Sequence, residues 1–168
     1  MLRPSKNGIP RKNIFSSRIK MTVTILDIVL MLLPAFVGYG SQLLCSVGKY
    51  AGSSVLFRPP AWTFGVIWPI LFLLFGLSWV LAVRESPTLL TYLTYGLTTA
   101  LLGVWIIVYG CAQNKKAAVW VLLLAVAAGL ASFGQGTGAS KAMIAPLVAW
   151  AIFALLMNTT EVQAKSVT

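Results

Sequence analysis

The sequence predicts an all-α membrane protein, a bundle of five transmembrane helices. Three observations predict it. Hydrophobic residues make up 58% of the 168 positions and charged residues only 10%, against roughly 25% charged in soluble domains. The apolar residues gather in five runs, each close to the ~20 residues that cross a bilayer core as a helix. Short links rich in glycine, proline, serine or basic residues separate the runs. A core of this size cannot hide so much apolar surface, so lipid must be the solvent.

Residues 1–20 form a basic tail with no acid, carrying Arg3, Lys6, Arg11, Lys12, Arg18 and Lys20 among three serines. Two readings stay open for it: an organelle transit peptide or a basic arm on an anionic membrane surface. The net charge of +10 is concentrated there and beside the apolar runs. This is membrane-surface electrostatics and not a nucleic-acid patch. The chain contains no histidine. That removes Ser-His and Cys-His catalysis and histidine-ligated zinc or haem. Neither a metal site nor a catalytic set is expected.

The first helix is predicted over residues 21–45. Asp27, about two turns inside it, is the only acid within a predicted span, and a carboxylate there is expected to reach back to the interface. Pro34 is expected to kink this helix, and Gly38, Gly40 and Ser41 allow close helix approach. A loop over 46–58 ends on the apolar Val55-Leu56-Phe57. Pro59-Pro60 stops any incoming helix and suits the first turn of a new one. The second helix, 60–83, carries no charge from Trp62 to Val83. Trp62 and Trp68 are either belt residues at the membrane interface or parts of a pocket.

A short link predicts that helices two and three are antiparallel neighbours. Helix three, 89–111, bears a stripe of Gly96, Ala100 and Gly103. The stripe suits packing within the bundle or, in the sharper reading, a homodimer seam. Helix four, 117–133, repeats the device with Ala125 and Gly129. Gly134 to Gly138 reads as a loop. Helix five is predicted over 142–157 and ended by Asn158-Thr-Thr-Glu161, with 159–168 as a short tail. Asn158-Thr159-Thr160 also matches a glycosylation acceptor. Cys45 and Cys111 stand at helix ends in no metal-ligand spacing. They read as small apolar core residues rather than as a disulfide.

Two stretches carry a family resemblance. Pro59-Pro60-x-Trp62 followed by Trp68 resembles the second-helix signature of the translocator protein family, also called tryptophan-rich sensory proteins or peripheral-type benzodiazepine receptors. Ala145-Pro146-Leu-Val-Ala-Trp150-Ala-Ile-Phe153-Ala154-Leu-Leu-Met-Asn158 is similar to its fifth-helix pattern. The resemblance covers about Leu33 to Asn158. It implies a first loop folded over the mouth of the bundle. It also implies a pocket for flat hydrophobic ligands: tetrapyrroles such as protoporphyrin or haem, and in some members sterols or benzodiazepine-type drugs. The ligand-binding set expected here is Phe57, Trp62, Gly65, Ile67 and Trp68 around the second helix, Trp105 on the third, and Trp150, Ala154 and Asn158 on the fifth.

This chain departs from the family in places. Gly48 stands where the family has a first-loop tryptophan, and no tryptophan occurs between Cys45 and Trp62. Light-driven porphyrin degradation, associated with such indoles in some members, is therefore disfavoured, and the chain is not expected to be an enzyme. Thr159-Thr160-Glu161 replaces the tyrosine and basic residue of a cholesterol-recognition pattern. A small transporter or channel, or a porphyrin-degrading enzyme, is the alternative, though no span carries the ladder of ionisable groups that lines a polar path, and few intramembrane acids are present for acid–base catalysis. Expected partners are the bilayer, porphyrin-like molecules and a second copy of the chain. The expected location is a multi-pass position in the mitochondrial outer membrane or another organelle membrane. Basic residues number eight on the N-terminal side and five on the other, which points weakly to a cytoplasmic N-terminus.

Overall fold

The computed structural model describes residues 23–45, 47 and 51–166. The basic tail, and Gly48, Lys49 and Tyr50 of the first loop, lie outside them. Five helices run α1 (Ile25–Leu44), α2 (Ala61–Glu85), α3 (Leu89–Ile106, continued by a π-helical turn, Ile107–Cys111), α4 (Lys115–Gln135) and α5 (Gly138–Ser166). All five are long and apolar enough to cross a membrane. Their outward faces carry exposed side chains such as Phe36, Leu43, Leu93, Leu97 and Leu124. Such a surface is stable only against lipid.

The start of α1 explains its acid. Thr24 caps the helix and exchanges hydrogen bonds with Asp27, its backbone N–H donating to Asp27 Oδ2 at 2.7 Å and Asp27 N–H donating to Thr24 Oγ1 at 3.2 Å. This reciprocal box satisfies two orphan donors of the first turn. Arg84, at the end of α2, donates to both Asp27 oxygens, at 3.2 and 2.8 Å. Asp27 is thus held at the membrane edge by a forked ion pair. The helices continue through Pro34, Pro69 and Pro146.

Around the bundle the neighbours are α1–α2, α2–α5, α5–α4, α4–α3 and α3–α1. The expectation that α2 and α3 are close neighbours is corrected. Their backbones stand across the ring from each other and meet through long side chains. Tyr95 stacks on Phe75 at 5.2 Å and on Trp79 at 5.8 Å between ring centroids. A short link makes two helices antiparallel, but the three residues between them do not force contact along their length. Below these rings, Ser78 Oγ donates to the Ser140 carbonyl at 2.8 Å and lies 2.8 Å from the Tyr95 hydroxyl. Buried hydroxyls are thereby satisfied inside the bundle.

Small residues set the helix spacings. Gly103 is buried against Val37 and Ser41 of α1, and Gly96 lies near Trp79. Ala100 alone of that stripe faces outward. The stripe therefore does not form one intermolecular face, because Gly103 lets α1 approach within the same chain. Ala125 is buried, and Gly129 meets Val148 of α5 and Thr98 of α3.

Two helix ends differ from expectation. α4 extends to Gln135, which leaves Gly136 and Thr137 as the turn before α5. α5 runs on past Asn158 to Ser166, because Ala154, Asn158 and Glu161 continue one buried face at helical spacing. Glu161 is thus a fully buried acid inside a span. Asn158 is 2% exposed, so it is closed to glycosylation.

Cys45 and Cys111 form a disulfide, with Cα atoms 5.0 Å apart, which overturns the expectation of two independent core thiols. The reason is topological. The first and third spans end on the same membrane face, and α1 and α3 are neighbours. The π-helical turn then brings Cys111 to the end of α1.

Candidate functional site

The end of the bundle that carries the disulfide also carries the first loop. Its described part, from Ala51 to Pro60, is compact. Ala51 N–H donates to the Val47 carbonyl at 3.0 Å and Val55 N–H to the Gly52 carbonyl at 2.9 Å. Val47, Ala51 and Val55 point into the bundle and are 2–6% exposed, whereas Leu56 is fully exposed. Gly52 has φ of +65° and sits against Met157, where a Cβ would lie 2.8 Å from the sulfur. Only glycine tolerates both the left-handed backbone and the close approach. The loop therefore seals on α5.

Beneath Gly52 lies a buried polar chain. Gly52 N–H donates to the Tyr109 hydroxyl at 3.0 Å, and that hydroxyl donates to Glu161 Oε2 at 2.5 Å. The other Glu161 oxygen accepts from Lys115, the first residue of α4. Asn158 Nδ2 donates to the Lys115 carbonyl at 3.4 Å. Glu161 has no exposed surface, and the Lys115 side chain keeps 19% of its own. One carboxylate thus ties together the loop, the π-helical turn of α3, the start of α4 and the end of α5.

An aromatic ladder begins beside this chain. Tyr109 lies 5.5 Å from Trp105, Trp105 lies 5.7 Å from Trp68, and Trp68 stacks on Phe72 at 5.4 Å, all between ring centroids. Trp68 also meets Trp150 edge-on at 6.5 Å. Trp150 touches Phe64 at 6.1 Å and Phe153 at 5.4 Å, and Phe153 reaches Phe57 of the loop at 6.1 Å. Arg58 covers Phe64, with its guanidinium carbon 5.9 Å from the ring centre, and its Nε donates to the Ala51 carbonyl at 2.6 Å. The ladder draws on the loop, α2, α3 and α5. Such offset and edge contacts contribute roughly 0.5–1.5 kcal/mol each beyond area burial.

Several polar atoms in this region have no hydrogen-bond partner among the described residues: the indole nitrogens of Trp105 and Trp150 and the side-chain oxygen of Asn158. Trp79, deeper in the bundle, has the same feature. A buried polar atom without a partner costs about 1–3 kcal/mol. Two donors and an acceptor therefore stand ready at one end of the bundle.

Of the expected residues, Trp68, Trp105 and Trp150 come together in the ladder, and Phe57 joins through Phe153. Ala154 and Asn158 are buried along the same stretch of α5, at 3% and 2% exposure. Ile67 packs against the core at its edge. Trp62 and Gly65 are corrected. Trp62 is 69% exposed, and a Cβ on Gly65 would meet nothing within 4 Å. Six residues separate Trp62 from Trp68, about 240° around a helix, so the two cannot share a face. Trp62 and the equally exposed Trp120 sit where an interfacial belt would. Phe64, Phe153, Tyr109 and Glu161 belong to the site and were not expected. Phe64 was legible, because it stands four residues before Trp68 and hence on its face.

Hollows elsewhere differ in kind. Two of about 380 and 360 Å³ run along the outer face of α1, bordered by Leu32 and Phe36. One of about 10 Å³ between α3, α4 and α5 is lined by Leu102, Gly129 and Leu147, too small for more than a water. None includes a ladder residue. Among the described residues no group of His, Cys, Asp or Glu could hold a metal ion.

A family model described as the TspO/MBR family matches residues 30–162, most of the chain and all five spans but for the start of α1 and the end of α5. No curated protein matches it.

Proposed function

Since the chain belongs to the TspO/MBR family and is an integral, multi-pass membrane protein, we propose that it binds a flat, hydrophobic tetrapyrrole against the aromatic ladder beneath the first loop. The observation that carries this reading is the joint presence of broad ring faces and unpartnered polar atoms. Trp68, Trp105 and Trp150 offer π surface, and the Trp105 and Trp150 indole N–H groups and the Asn158 oxygen have no partner among the described residues. A ligand with a flat ring and polar edge groups matches both, which is the usual chemistry of a mostly apolar pocket with few polar anchors. The rings are in contact, so the ligand enters by parting Trp150, the half-buried member, from Phe64 and Trp68. Sterols and benzodiazepine-type drugs are secondary candidates for the same surface.

Titrating protoporphyrin IX into the purified protein and following tryptophan fluorescence tests this. Quenching that saturates is expected. Trp150→Ala should weaken binding about tenfold, since one stacking face is worth on the order of 1 kcal/mol, while Trp62→Ala on the lipid face should leave it unchanged. Equal losses in both variants would place the ligand elsewhere.

The protein binds porphyrin without chemistry, in this reading. Under illumination the complex should lose porphyrin absorbance slowly, and a Gly48→Trp variant should lose it several-fold faster. Rapid bleaching by the unmodified chain would sink this part. A homodimer through α3 also belongs to the proposal, and the residues open to it are Leu93, Leu97, Ala100 and Val104 on the outward face.

A further inference from the structure

The disulfide sits at the hinge of the first loop. Cys45 ends α1, its N–H donating to the Ser41 carbonyl at 2.9 Å. Two residues on, Val47 is buried against Gly110, where an added Cβ would lie 2.9 Å from the Val47 side chain and 3.0 Å from Cys45 Cβ. Cys111 follows directly. The second anchor of the loop, the Tyr109 hydroxyl that accepts from Gly52 N–H, belongs to the same π-helical turn. Two fastenings of the loop therefore come from Ile107–Cys111, beside its contacts with α5, and one of them is covalent.

Sidedness adds a second observation. The bond joins the ends of the first and third spans, which share the face opposite the N-terminal tail. That tail holds six of the thirteen basic residues, and basic flanks stay on the cytoplasmic side. Disulfides persist in oxidising compartments and are rare in the cytosol. Charge and cysteine chemistry are independent, and they agree on one orientation.

We propose that Cys45 and Cys111 form a thiol–disulfide latch on the first loop, facing an oxidising compartment across the membrane from the basic tail. Cys111 is exposed and Cys45 is 2% exposed, so Cys111 is the sulfur a reductant reaches. The thiolate of a dithiol reductant attacks Cys111 Sγ and forms a mixed disulfide. The Cys45–Cys111 bond breaks, and its electron pair leaves on Cys45, which takes up a proton. The second thiol of the reductant then attacks the mixed disulfide and frees Cys111. Two protein thiols and one oxidised reductant result. With the bond open, Val47 and the end of α1 are no longer clamped to α3, and the loop opens more often. The latch does not depend on which ligand the site takes.

The test uses the full chain in its own membranes, alkylated at harvest. Polyethylene-glycol maleimide should add to neither cysteine before reduction and to both after it. In sealed vesicles with the cytoplasmic face outward, protease should remove an N-terminal tag, and a charged, impermeant phosphine should leave the bond intact until detergent is added. Free thiols at harvest, or reduction from the cytoplasmic face, overturn the orientation. Hydrogen exchange reads the latch. The amides of Ala51 and Gly52 should exchange at least tenfold faster in the reduced protein and in a Cys45→Ser/Cys111→Ser variant. Unchanged exchange in the reduced protein overturns the latch, whether or not the variant folds.

Discussion

Lys115→Met should destabilise the bundle by about 3–5 kcal/mol, the usual cost of removing one partner from a buried ion pair. The carboxylate of Glu161 has no exposed surface. Without Lys115 it keeps the hydrogen bond from the Tyr109 hydroxyl but loses its ion-pair partner. Glu161→Gln should cost less, about 1–2 kcal/mol. Lys115 then loses its partner, but its side chain is already 19% exposed and can reach water. The double variant should recover most of the loss, because a neutral pair carries no buried charge. In mild detergent the lysine variant should melt roughly 10 °C lower, and the amides of Ala51 and Gly52 should lose protection with it. If Lys115→Met melts no lower than Glu161→Gln, the buried carboxylate is not what the pair stabilises.

Gly76→Ala should be nearly as damaging, at about 3 kcal/mol, the upper end for overpacking. A Cβ on Gly76 would lie 1.9 Å from the carbonyl oxygen of Met31 in α1. Backbone cannot swing aside as a flexible side chain can, so α1 and α2 must separate. One turn away the same seam is closed by Gly38, whose added Cβ would strike the Phe72 ring at 2.2 Å. Separation would therefore loosen Phe72 and the Trp68 ring stacked on it, and porphyrin quenching should weaken along with stability. Gly40→Ala is the control, since a Cβ there meets nothing within 4 Å, and alanine favours a helix over glycine by roughly 1 kcal/mol. Equal melting temperatures for the two variants would mean that the α1–α2 seam is not close-packed.

The two predictions concern different layers of one design. The glycine seam sets how near the helices stand and so whether the aromatic ladder can form. The Glu161 chain sets how the loop is held over it. The disulfide adds a covalent fastening on the α1 side of the same loop.

By itself the sequence determined what depends on composition and on residues near in the chain. Lipid as solvent followed from apolar runs that no core of this size could bury. The number of spans followed from their length, and the start of α2 from Pro59-Pro60. The family could be read from the spacing of Trp62, Trp68 and Trp150. The tertiary structure decided what depends on which helix stands beside which. It turned Trp62 outward and Trp68 inward, since residues six apart fall on different faces of a helix. It put α2 and α3 across the ring, so that their aromatic side chains fill the centre. It carried α5 one more turn and beyond, which made Glu161 the anchor of the loop rather than the end of a helix. It joined Cys45 to Cys111, separated by 66 residues. The ends of the first and third spans must share a face, which was legible. That these ends also touch is set by the small residues between α1 and α3, Ser41 and Gly103, and by a π-helical turn that no local pattern announced.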